Sequence, residues 1–340
     1  MYIVATISKN SYPAEKIKEI INAGATILRY NFSHGTPDEM YQKISVAKDV
    51  IKELNQEGNV LIMADLPGAK IRLGKFQPSE IAVDKDQIIT FSSGESSSNP
   101  EEYIPVDYPH IGNFVEVGKE ISCADGELGF IITEIVDENT FKARALNSRH
   151  IPTLKALNIG SAMDEIDHIT DKTLEHLKNL SRINPELVAF SFVNSKEYLV
   201  KCKRLLKKFN PDLNPKIVSK LETENSLVNI KEILEESDYI LVARGDLGLT
   251  VPIERLGIYQ KVFTREAKIA GKQVIVSTQI LDSVVNQYTP QRAEILDLTN
   301  IVLDGANGIM LAKETGISLT PGQSIEIARK VINYVEKSGF

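Results

Sequence analysis

The sequence predicts an α/β protein built as a (β/α)₈ TIM barrel, with a small all-β domain inserted after the third strand. Short apolar runs alternate with longer amphipathic stretches over most of the 340 residues, and eight such strand–helix units form a closed barrel. One interval instead alternates polar and apolar residues between frequent turns, as antiparallel strands do. These patterns predict a barrel comprising 1–73 and 163–340 and an inserted β domain comprising 74–162.

Eight runs with largely apolar interiors fit parallel strands that are buried on both faces. They are Tyr2–Ser8, Thr26–Phe32, Val60–Leu66, Leu187–Val193, Lys216–Glu222, Tyr239–Arg244, Gln273–Thr278 and Gly308–Ala312. Amphipathic stretches after most of them predict helices, among them Pro13–Ala23, Asp38–Asn55, Lys196–Lys208, Ser226–Glu235 and Pro252–Ala270. Polar residues at Thr36 and Ser195, each followed by acidic residues, are typical of helix starts.

The inserted interval is rich in Ile, Val and Phe and is divided by Gly, Asp and Asn turns. Its strand-like segments are Glu80–Val83, Gln87–Phe91, Glu120–Cys123 and Gly129–Glu134. The stretch Pro105–Pro109 is predicted to be a loop. This interval therefore predicts a compact all-β module rather than further strand–helix units.

Composition excludes several classes of protein. Hydrophobic residues make up 42% and charged residues 25%, so a large core can form and disorder is not expected. The net charge of −7 argues against a nucleic-acid partner held by general attraction to phosphate. No apolar run reaches membrane length, and the N-terminus has no targeting signature. The two cysteines, Cys123 and Cys202, match no metal or redox spacing, so we expect a cytoplasmic protein.

In a barrel of this kind the active site lies at the carboxyl ends of the strands. Charged and hydroxyl side chains follow six of the predicted strands. The segments are Arg29–Gly35, Asp65–Arg72, Lys220–Glu222, Arg244–Asp246, Ser277–Gln279 and Lys313–Thr315. Their convergence on one rim is what a phosphorylated, metal-bound substrate requires.

Two acidic residues at neighbouring strand ends form a candidate metal site. Glu222 and Asp246 offer hard carboxylate oxygens, and Mg²⁺ commonly takes one or two carboxylates plus water and substrate oxygens. The alternative is a pair of acids that form salt bridges at the rim. Lys220 lies two residues before Glu222, so both side chains share one face of the strand, and this placement favours the metal site.

The remaining rim side chains each have two interpretations. Lys220 can stabilise charge that develops on a phosphoryl group or an enolate, or it can neutralise its neighbours. Arg29 suits phosphate, or a bridge to a barrel carboxylate. Thr278 can relay a proton or bond to backbone, and spacing alone favours the second. His34 is a lone loop histidine, the type that is most often exposed or capping.

These strand-end segments closely resemble the motifs of the pyruvate kinase family. The matching segments are Arg29-Tyr-Asn-Phe-Ser-His-Gly, Asp65-Leu-Pro-Gly-Ala-Lys-Ile-Arg, Lys220-Leu-Glu, Val242-Ala-Arg-Gly-Asp-Leu-Gly, Ser277-Thr-Gln-Ile-Leu-Asp-Ser, Gln291-Arg-Ala-Glu, Val302-Leu-Asp-Gly and, in the insertion, Asp125-Gly-Glu-Leu-Gly. These motifs are specific and occur in the family's order, and the likeness covers nearly the whole chain. The resemblance implies phosphoryl transfer between phosphoenolpyruvate and ADP, giving pyruvate and ATP.

The resemblance also implies a role for each rim residue. Glu222 and Asp246 would hold Mg²⁺ or Mn²⁺, and Lys220 would stabilise the transferring phosphoryl group and the enolate. The backbone at Gly245 and Asp246 would receive the substrate carboxylate. Thr278 would help to place the proton on the enolate carbon.

Further roles follow from the same resemblance. Arg29 would touch phosphate and, with Asn31 and His34, would lie toward the nucleotide, while Arg72 would contribute to substrate binding. The inserted domain would act as a lid that excludes water from the reaction.

One departure from the family pattern bears on cofactors. Relatives that depend on potassium carry Thr and Glu where this chain has Leu66 and Lys70. The resemblance places the potassium site at groups equivalent to Asn31, Ser33 and Asp65. A fixed ammonium at Lys70 could stand in for the ion there, so we expect K⁺ not to be required.

Other departures keep alternatives open. Ala312-Lys313 replaces the usual Ser-Gly in the eighth unit, and the chain ends at Phe340, so we expect the family's C-terminal domain to be lacking. A magnesium-dependent enolate lyase or aldolase, or a weakly catalytic barrel that binds a phosphorylated metabolite, remains an alternative. Homo-oligomers through the barrel are compatible with the sequence, which leaves the physiological acceptor, the nucleotide and the reaction direction open.

Overall fold

The structure is a computed structural model that describes residues 1–124 and 126–339, apart from the side chain of Ser161. In chain order, the strands of these residues are β1 (Tyr2–Ile7), β2 (Ile27–Asn31), β3 (Leu61–Asp65), β4 (Glu80–Val83), β5 (Ile88–Ser93), β6 (Ile104–Val106), β7 (Glu120–Cys123), β8 (Leu128–Ile135), β9 (Thr140–Ala145), β10 (Arg149–Pro152), β11 (Leu157–Asn158), β12 (Leu187–Phe190), β13 (Lys216–Leu221), β14 (Tyr239–Ala243), β15 (Gln273–Ser277) and β16 (Gly308–Leu311). The helices are α1 (Ala14–Asn22), α2 (Pro37–Glu53), α3 (Asp171–Ile183), α4 (Lys196–Phe209), α5 (Glu224–Val228), α6 (Ile230–Glu236), α7 (Arg244–Thr250), α8 (Leu256–Ile269), α9 (Arg292–Leu303), α10 (Lys313–Gly316) and α11 (Pro321–Ser338).

Eight of these strands form a closed parallel barrel in the order β1-β16-β15-β14-β13-β12-β3-β2. The first and last strands complete the ring, because Tyr2 pairs with Gly308 while Val4 pairs with Ile27 on the other side. Every apolar run predicted to be a barrel strand contains one of the eight. The predicted (β/α)₈ fold with an inserted β domain is therefore confirmed.

Apolar side chains fill the barrel core. They include Val4, Ile27, Met63, Leu187, Ala189, Val218, Leu241, Ile275 and Met310, all buried. Burying an aliphatic side chain of the larger sizes contributes about 1.5–3 kcal/mol. This packing stabilises the barrel, and the rim residues lie at the carboxyl ends of its strands.

Two helices begin as their cap residues predict. The Thr36 side chain accepts a hydrogen bond from the Glu39 N–H at 3.3 Å, and the Glu39 carboxylate accepts one from the Thr36 N–H at 2.9 Å. The Ser195 side chain accepts from the Tyr198 N–H at 3.2 Å. Each cap satisfies backbone donors that the first helical turn leaves without partners.

Two predicted helices differ from the structure. The stretch predicted as one helix from Ser226 to Glu235 is two short helices, α5 and α6, that meet at Asn229. The Asn229 side chain donates to the Asn194 carbonyl at 2.8 Å, a tertiary contact that favours the break over one continuous helix. The helix predicted from Pro252 begins at Leu256, because the residues just before it form a 3₁₀ turn, as is frequent at helix starts.

The chain divides into two compact units, which are Met1–Gly68 with His168–Leu247 and Glu254–Phe340, and Ala69–Asp167 with Gly248–Ile253. The second unit contains a six-stranded sheet in the order β11-β7-β8-β9-β5-β6 and a two-stranded sheet of β10 and β4. Phe91 packs edge-on against Phe130 and stacks on Phe141 in its core. The predicted domain limits at 74 and 162 stay a prediction.

The loop predicted at Pro105–Pro109 is wrong in its first part, because Ile104–Val106 is strand β6. β6 lies at the edge of the six-stranded sheet, with Pro105 opposite Ser92, and proline is tolerated in edge strands. Asp125, part of the inserted motif, lies outside the described residues. None of the helices in the described part of the chain has the length and apolar character needed to cross a membrane.

Candidate active site

The rim at the carboxyl ends of the barrel strands holds a buried cluster of opposite charges. Arg29 lies on β2, and its Nη2 is 2.6 Å from Oδ2 of Asp65, which ends β3. Arg29 also donates to the Thr6 hydroxyl on β1 at 3.1 Å. Lys220 on β13 brings its Nζ within 3.2 Å of the other Asp65 oxygen. Asp65 therefore lies between two cations from different strands.

Three groups hold the Lys220 ammonium. It lies 3.1 Å from Oε1 of Glu222 and donates to the Ser191 hydroxyl at 2.8 Å, in addition to its contact with Asp65. Burial opposes its charge, but the carboxylates of Asp65 and Glu222 outweigh that effect and raise the pKa of Lys220 above its ordinary value. Lys220 is thus a fixed positive charge rather than a proton donor at neutral pH.

The same cations keep Asp65 ionised. Burial alone would raise the pKa of the Asp65 carboxyl, but Lys220 and Arg29 lower it below its ordinary value. Arg29 forms the bridge to a barrel carboxylate that the sequence left as the alternative to phosphate binding. Since that bridge occupies only part of the planar five-donor guanidinium, it does not decide between the two interpretations.

Glu222 is oriented by a strained backbone. Its Oε2 accepts a hydrogen bond from the Phe192 N–H at 2.7 Å, and Phe192 has a φ of 53°, which is unfavourable for a bulky residue. A Cβ at Gly68 would lie only 2.6 Å from the Phe192 ring, so only glycine fits beside it. These contacts aim one Glu222 oxygen at backbone and the other toward Lys220.

Glu222 and Asp246 follow the neighbouring strands β13 and β14, whose register places Leu221 opposite Val242. The negative charge of Asp246 also raises the pKa of Lys220. Two carboxylates at adjacent strand ends fit Mg²⁺, which prefers hard oxygen ligands and keeps positions for water and substrate. Among the described residues, no three His, Cys, Asp or Glu side chains are grouped as a ready-made metal cage.

Thr278 lies at the end of β15, beside the start of α7. Its hydroxyl accepts from the Gly245 N–H at 2.7 Å and donates to the Ser277 carbonyl at 2.6 Å. The backbone bonding that spacing favours is therefore present, and the same bonds hold the hydroxyl at the rim. Arg244 donates to the carbonyls of this segment, a contact that the sequence did not reveal.

The residues predicted to lie near the nucleotide are at the end of β2 and in the loop that follows it. Asn31 pairs in register with Asp65, and its side chain accepts from the Ser33 N–H at 3.0 Å. Lys172 on α3 donates to the Ser33 carbonyl at 2.9 Å, which ties the loop to that helix. His34 is exposed. Asn31, Ser33 and Asp65 thus lie at adjacent strand ends.

A second acidic pair lies after β15 and β16. Glu314 is fully buried and accepts from the Leu281 N–H at 3.0 Å and the Ala312 N–H at 2.7 Å. Burial raises the pKa of Glu314, and it also raises the pKa of Asp282, which is hydrogen-bonded to Glu314. The sequence analysis gave neither residue a role, although Asp282 lies in the matched Ser277-Thr-Gln-Ile-Leu-Asp-Ser motif and Glu314 lies in the rim segment Lys313–Thr315.

The structure brings together Arg29, Asp65, Lys220 and Glu222 directly, and places Gly245 and Asp246 just after β14 and Thr278 just after β15. Lys70 and Arg72 belong to the second compact unit. Ser191 was missed, although it follows β12 and inspection of that strand's end would have found it. It accepts from Lys220 and donates to the Leu66 carbonyl at 2.8 Å.

A parallel barrel with these fixed charges at the carboxyl ends of its strands is an enzyme scaffold suited to an anionic, phosphorylated substrate. The family model described as pyruvate kinase, barrel domain, matches residues 1–325. The chain therefore belongs to the pyruvate kinase family, and it is a phosphotransferase.

Individual relatives agree with this assignment. The pyruvate kinase of Thermococcus litoralis is 34% identical over 335 residues, which cover 98% of this chain and 69% of the relative. The pyruvate kinase of Thermotoga maritima is 33% identical over 335 residues, which cover 98% of this chain and 71% of that relative. Among solved structures, a pyruvate kinase from Cryptosporidium parvum superposes with a TM-score of 0.90 at 27% identity, over 99% of this chain and 69% of that one.

Proposed function

We propose that this protein transfers the phosphoryl group of phosphoenolpyruvate to ADP, giving pyruvate and ATP. The observation that carries the proposal is the buried Lys220 ammonium, 3.2 Å from Asp65 and 3.1 Å from Glu222 at a barrel strand end. Phosphoryl transfer leaves little covalent chemistry to the protein and depends on positioning and charge stabilisation. A cation that is already held in a buried site supplies the charge stabilisation.

Lys220 is the group that stabilises the negative charge on the transferring phosphoryl group and the enolate. Its ammonium cannot be lost near neutral pH, since Asp65 and Glu222 raise the pKa of Lys220 more than burial lowers it. Because the site excludes bulk water, a fixed cation stabilises the transferring phosphoryl group and the enolate more strongly than it would in solution.

Glu222 and Asp246 are the proposed ligands of Mg²⁺ or Mn²⁺. A divalent ion bound there polarises substrate oxygens and offsets their negative charge. Glu222 is prepared for this role by the Phe192 N–H, which holds one of its oxygens. Asp246 is the first acidic residue of α7, where the helix N-terminus favours a negative group.

Gly245, Asp246 and Thr278 are the proposed groups for the rest of the substrate. The N–H groups of Gly245 and Asp246 open α7 and suit a carboxylate. The Gly245 N–H donates to the Thr278 hydroxyl, so a bound carboxylate would share that donor. This contact supports a position of the Thr278 hydroxyl beside the substrate, where it would help to protonate the enolate carbon.

The nucleotide and outer-rim roles rest on the family resemblance. Arg29, with Asn31 and His34, is proposed to lie toward the nucleotide phosphates. Arg72 is proposed as a further substrate contact, and Lys70 as the replacement for a monovalent cation.

The test is an assay of the purified protein with phosphoenolpyruvate, ADP and Mg²⁺ that follows pyruvate and ATP separately. Equal formation of both products supports phosphoryl transfer. Pyruvate without ATP would mean that water rather than ADP accepts the phosphoryl group, and would refute the proposal. Binding of phosphoenolpyruvate without turnover would point to the binding barrel. The Lys220→Met variant, purified alongside, controls for contaminating activity.

A further inference from the structure

Two consecutive residues after β15 have unfavourable backbone conformations. Thr278 has a φ of 68° and Gln279 a φ of 52°, and neither is glycine. Residues held in the left-handed region persist only where the surrounding structure fixes them. Since Thr278 carries the hydroxyl proposed to act on the enolate, the group that fixes this backbone controls where the hydroxyl points.

That group is the guanidinium of Arg244, the first residue after β14. Its Nε lies 3.3 Å from the Ser277 carbonyl and 3.2 Å from the Thr278 carbonyl. Its Nη2 donates to the Thr278 carbonyl at 2.7 Å and to the Gln279 carbonyl at 3.0 Å. One planar side chain therefore binds three consecutive carbonyls.

The other end of the guanidinium is anchored on the outer helices. Nη1 of Arg244 lies 2.7 Å from Oδ2 of Asp297 on α9 and 3.3 Å from Oε1 of Gln260 on α8. The Arg244 and Asp297 side chains are 11% and 33% exposed, so these bonds are partly shielded from water. Asp297 and Gln260 thus set the plane of the guanidinium that holds the strained segment.

Gly245, the residue next to Arg244, holds the side chain of Thr278. The Gly245 N–H donates to the Thr278 hydroxyl at 2.7 Å. A Cβ at position 245 would lie 3.4 Å from the Thr278 methyl carbon, so the glycine allows this close approach. Arg244 holds the backbone of Thr278 while Gly245 holds its hydroxyl, and both belong to the same turn.

We propose that Arg244, anchored by Asp297, is a positioning residue that fixes the Thr278 hydroxyl for proton transfer to the enolate. The proposal deepens the proposed function and rests on it. Arg244 itself touches no reacting atom. Lysine cannot replace it, because a single ammonium cannot reach three carbonyls and Asp297 in the fixed geometry that a guanidinium provides.

The kinetic test compares Arg244→Lys with wild type in the assay with phosphoenolpyruvate, ADP and Mg²⁺. We expect kcat to fall about 10²-fold, the effect of a reacting group displaced by roughly 1 Å, while KM for phosphoenolpyruvate changes by less than about 3-fold. Exchange of the methyl protons of pyruvate in D₂O should fall by a similar factor, since it reports the proton step alone. Asp297→Asn should lower kcat and the exchange rate by a smaller factor. It provides a second test if Arg244→Lys does not fold.

Arg329→Lys is the matched control. Arg329 also donates to two backbone carbonyls, those of Met1 and Gly24 at 3.1 and 2.8 Å, but these residues precede β1 and β2 at the opposite end of the barrel. We expect this variant to keep kcat and the exchange rate. Equal losses in Arg244→Lys and Arg329→Lys would reduce Arg244 to a general structural role and overturn the proposal.

A second readout does not depend on activity. The methyl resonance of Thr278, observed by NMR in threonine-labelled protein, should shift or broaden in Arg244→Lys and stay in place in Arg329→Lys. An unmoved resonance would overturn the proposal whatever the kinetics show. If the resonance moves in Arg244→Lys but the wild-type protein forms no ATP, the proposed function is refuted while the positioning of Thr278 by Arg244 stays supported.

Discussion

The ammonium of Lys220 lies 3.2 Å from Oδ1 of Asp65, across the strand β12 that separates their own strands. The side chains of Lys220 and Asp65 are 11% and 2% exposed. Asp65 also binds Arg29 at 2.6 Å, so one buried carboxylate serves two buried cations. Removing one partner of such a group leaves an uncompensated charge away from water.

Asp65→Asn should therefore destabilise the protein strongly. We expect the free energy of unfolding to fall by about 3–5 kcal/mol, because Lys220 and Arg29 lose the charge between them. Urea unfolding followed by circular dichroism measures this. Asp38→Asn is the control, since Asp38 is 74% exposed in its pair with Arg182 and exposed pairs contribute little. A loss no larger than that of the control would contradict the buried cluster.

Lys220→Met should separate chemistry from binding. The variant removes a charge that acts as the phosphoryl group moves, so we expect kcat to fall by about 10³-fold or more with a small change in substrate affinity. Steady-state kinetics and a direct measurement of phosphoenolpyruvate binding check this. If only affinity falls while kcat is kept, Lys220 binds substrate without stabilising the transition state.

Glu222→Gln and Asp246→Asn should each weaken metal binding. A neutral amide is a poorer ligand for a hard divalent cation than a carboxylate, so we expect Mn²⁺ affinity to fall about 10-fold or more in both variants. Titration followed by electron paramagnetic resonance of free Mn²⁺ gives the affinities. Asp282→Asn, a nearby acid with no proposed ligand role, should bind Mn²⁺ as wild type does. Wild-type affinity in both ligand variants would remove this metal site.

His176 should make the native state sensitive to acid. It is buried against the ring of Phe32, with centroids 4.9 Å apart. Burial and the charge of Lys172 lower the pKa of His176 below 6.5, more than Glu175 and nearby carbonyls raise it. The unfolded chain therefore binds the proton more readily, so stability falls as pH drops through and below about 6.5.

The measurement is the melting temperature of wild type and His176→Gln as a function of pH. We expect the decline between about pH 7 and pH 5 to be shallower in the variant, because glutamine takes up no proton. His110→Gln, at a side chain 56% exposed, should follow the wild-type curve. Parallel curves for wild type and His176→Gln would show that His176 does not titrate on unfolding.

Activity should be nearly independent of K⁺. A lysine tethered at position 70 avoids the entropy cost of capturing a free ion, and two cations in close proximity would repel. The test is activity in tetramethylammonium buffer with and without KCl, for wild type and Lys70→Glu. If wild type is independent of K⁺ and Lys70→Glu requires it, the result supports the replacement of the ion by the Lys70 ammonium. A requirement in wild type that the variant leaves unchanged refutes it.

The barrel strands were predictable from sequence because each is encoded within a few residues. The run Lys216–Glu222 contains β13 (Lys216–Leu221), and Gln273–Thr278 contains β15 (Gln273–Ser277). Errors arose where distant parts of the chain intervene. The side-chain bond from Asn229 to Asn194 interrupts a predicted helix, and pairing with β5 draws Pro105 into an edge strand.

The candidate site divides in the same way. Sequence alone identified Lys220, Glu222, Asp246 and Thr278 as rim residues, because the residue that follows a barrel strand must lie at the carboxyl end. It did not reveal the partners of these residues. Ser191 reaches Lys220 across 29 positions, and Arg244 reaches Thr278 across 34.

The sequence by itself thus determined the fold class, the order of the strands along the chain and the kinds of side chain at the rim, all of which depend on local periodicity. Only the tertiary structure decided which of those side chains touch. Closing the barrel sets the register between strands that are far apart in sequence. Hydrogen bonds such as those of Arg244 depend on positions within a few tenths of an ångström, which local patterns do not encode.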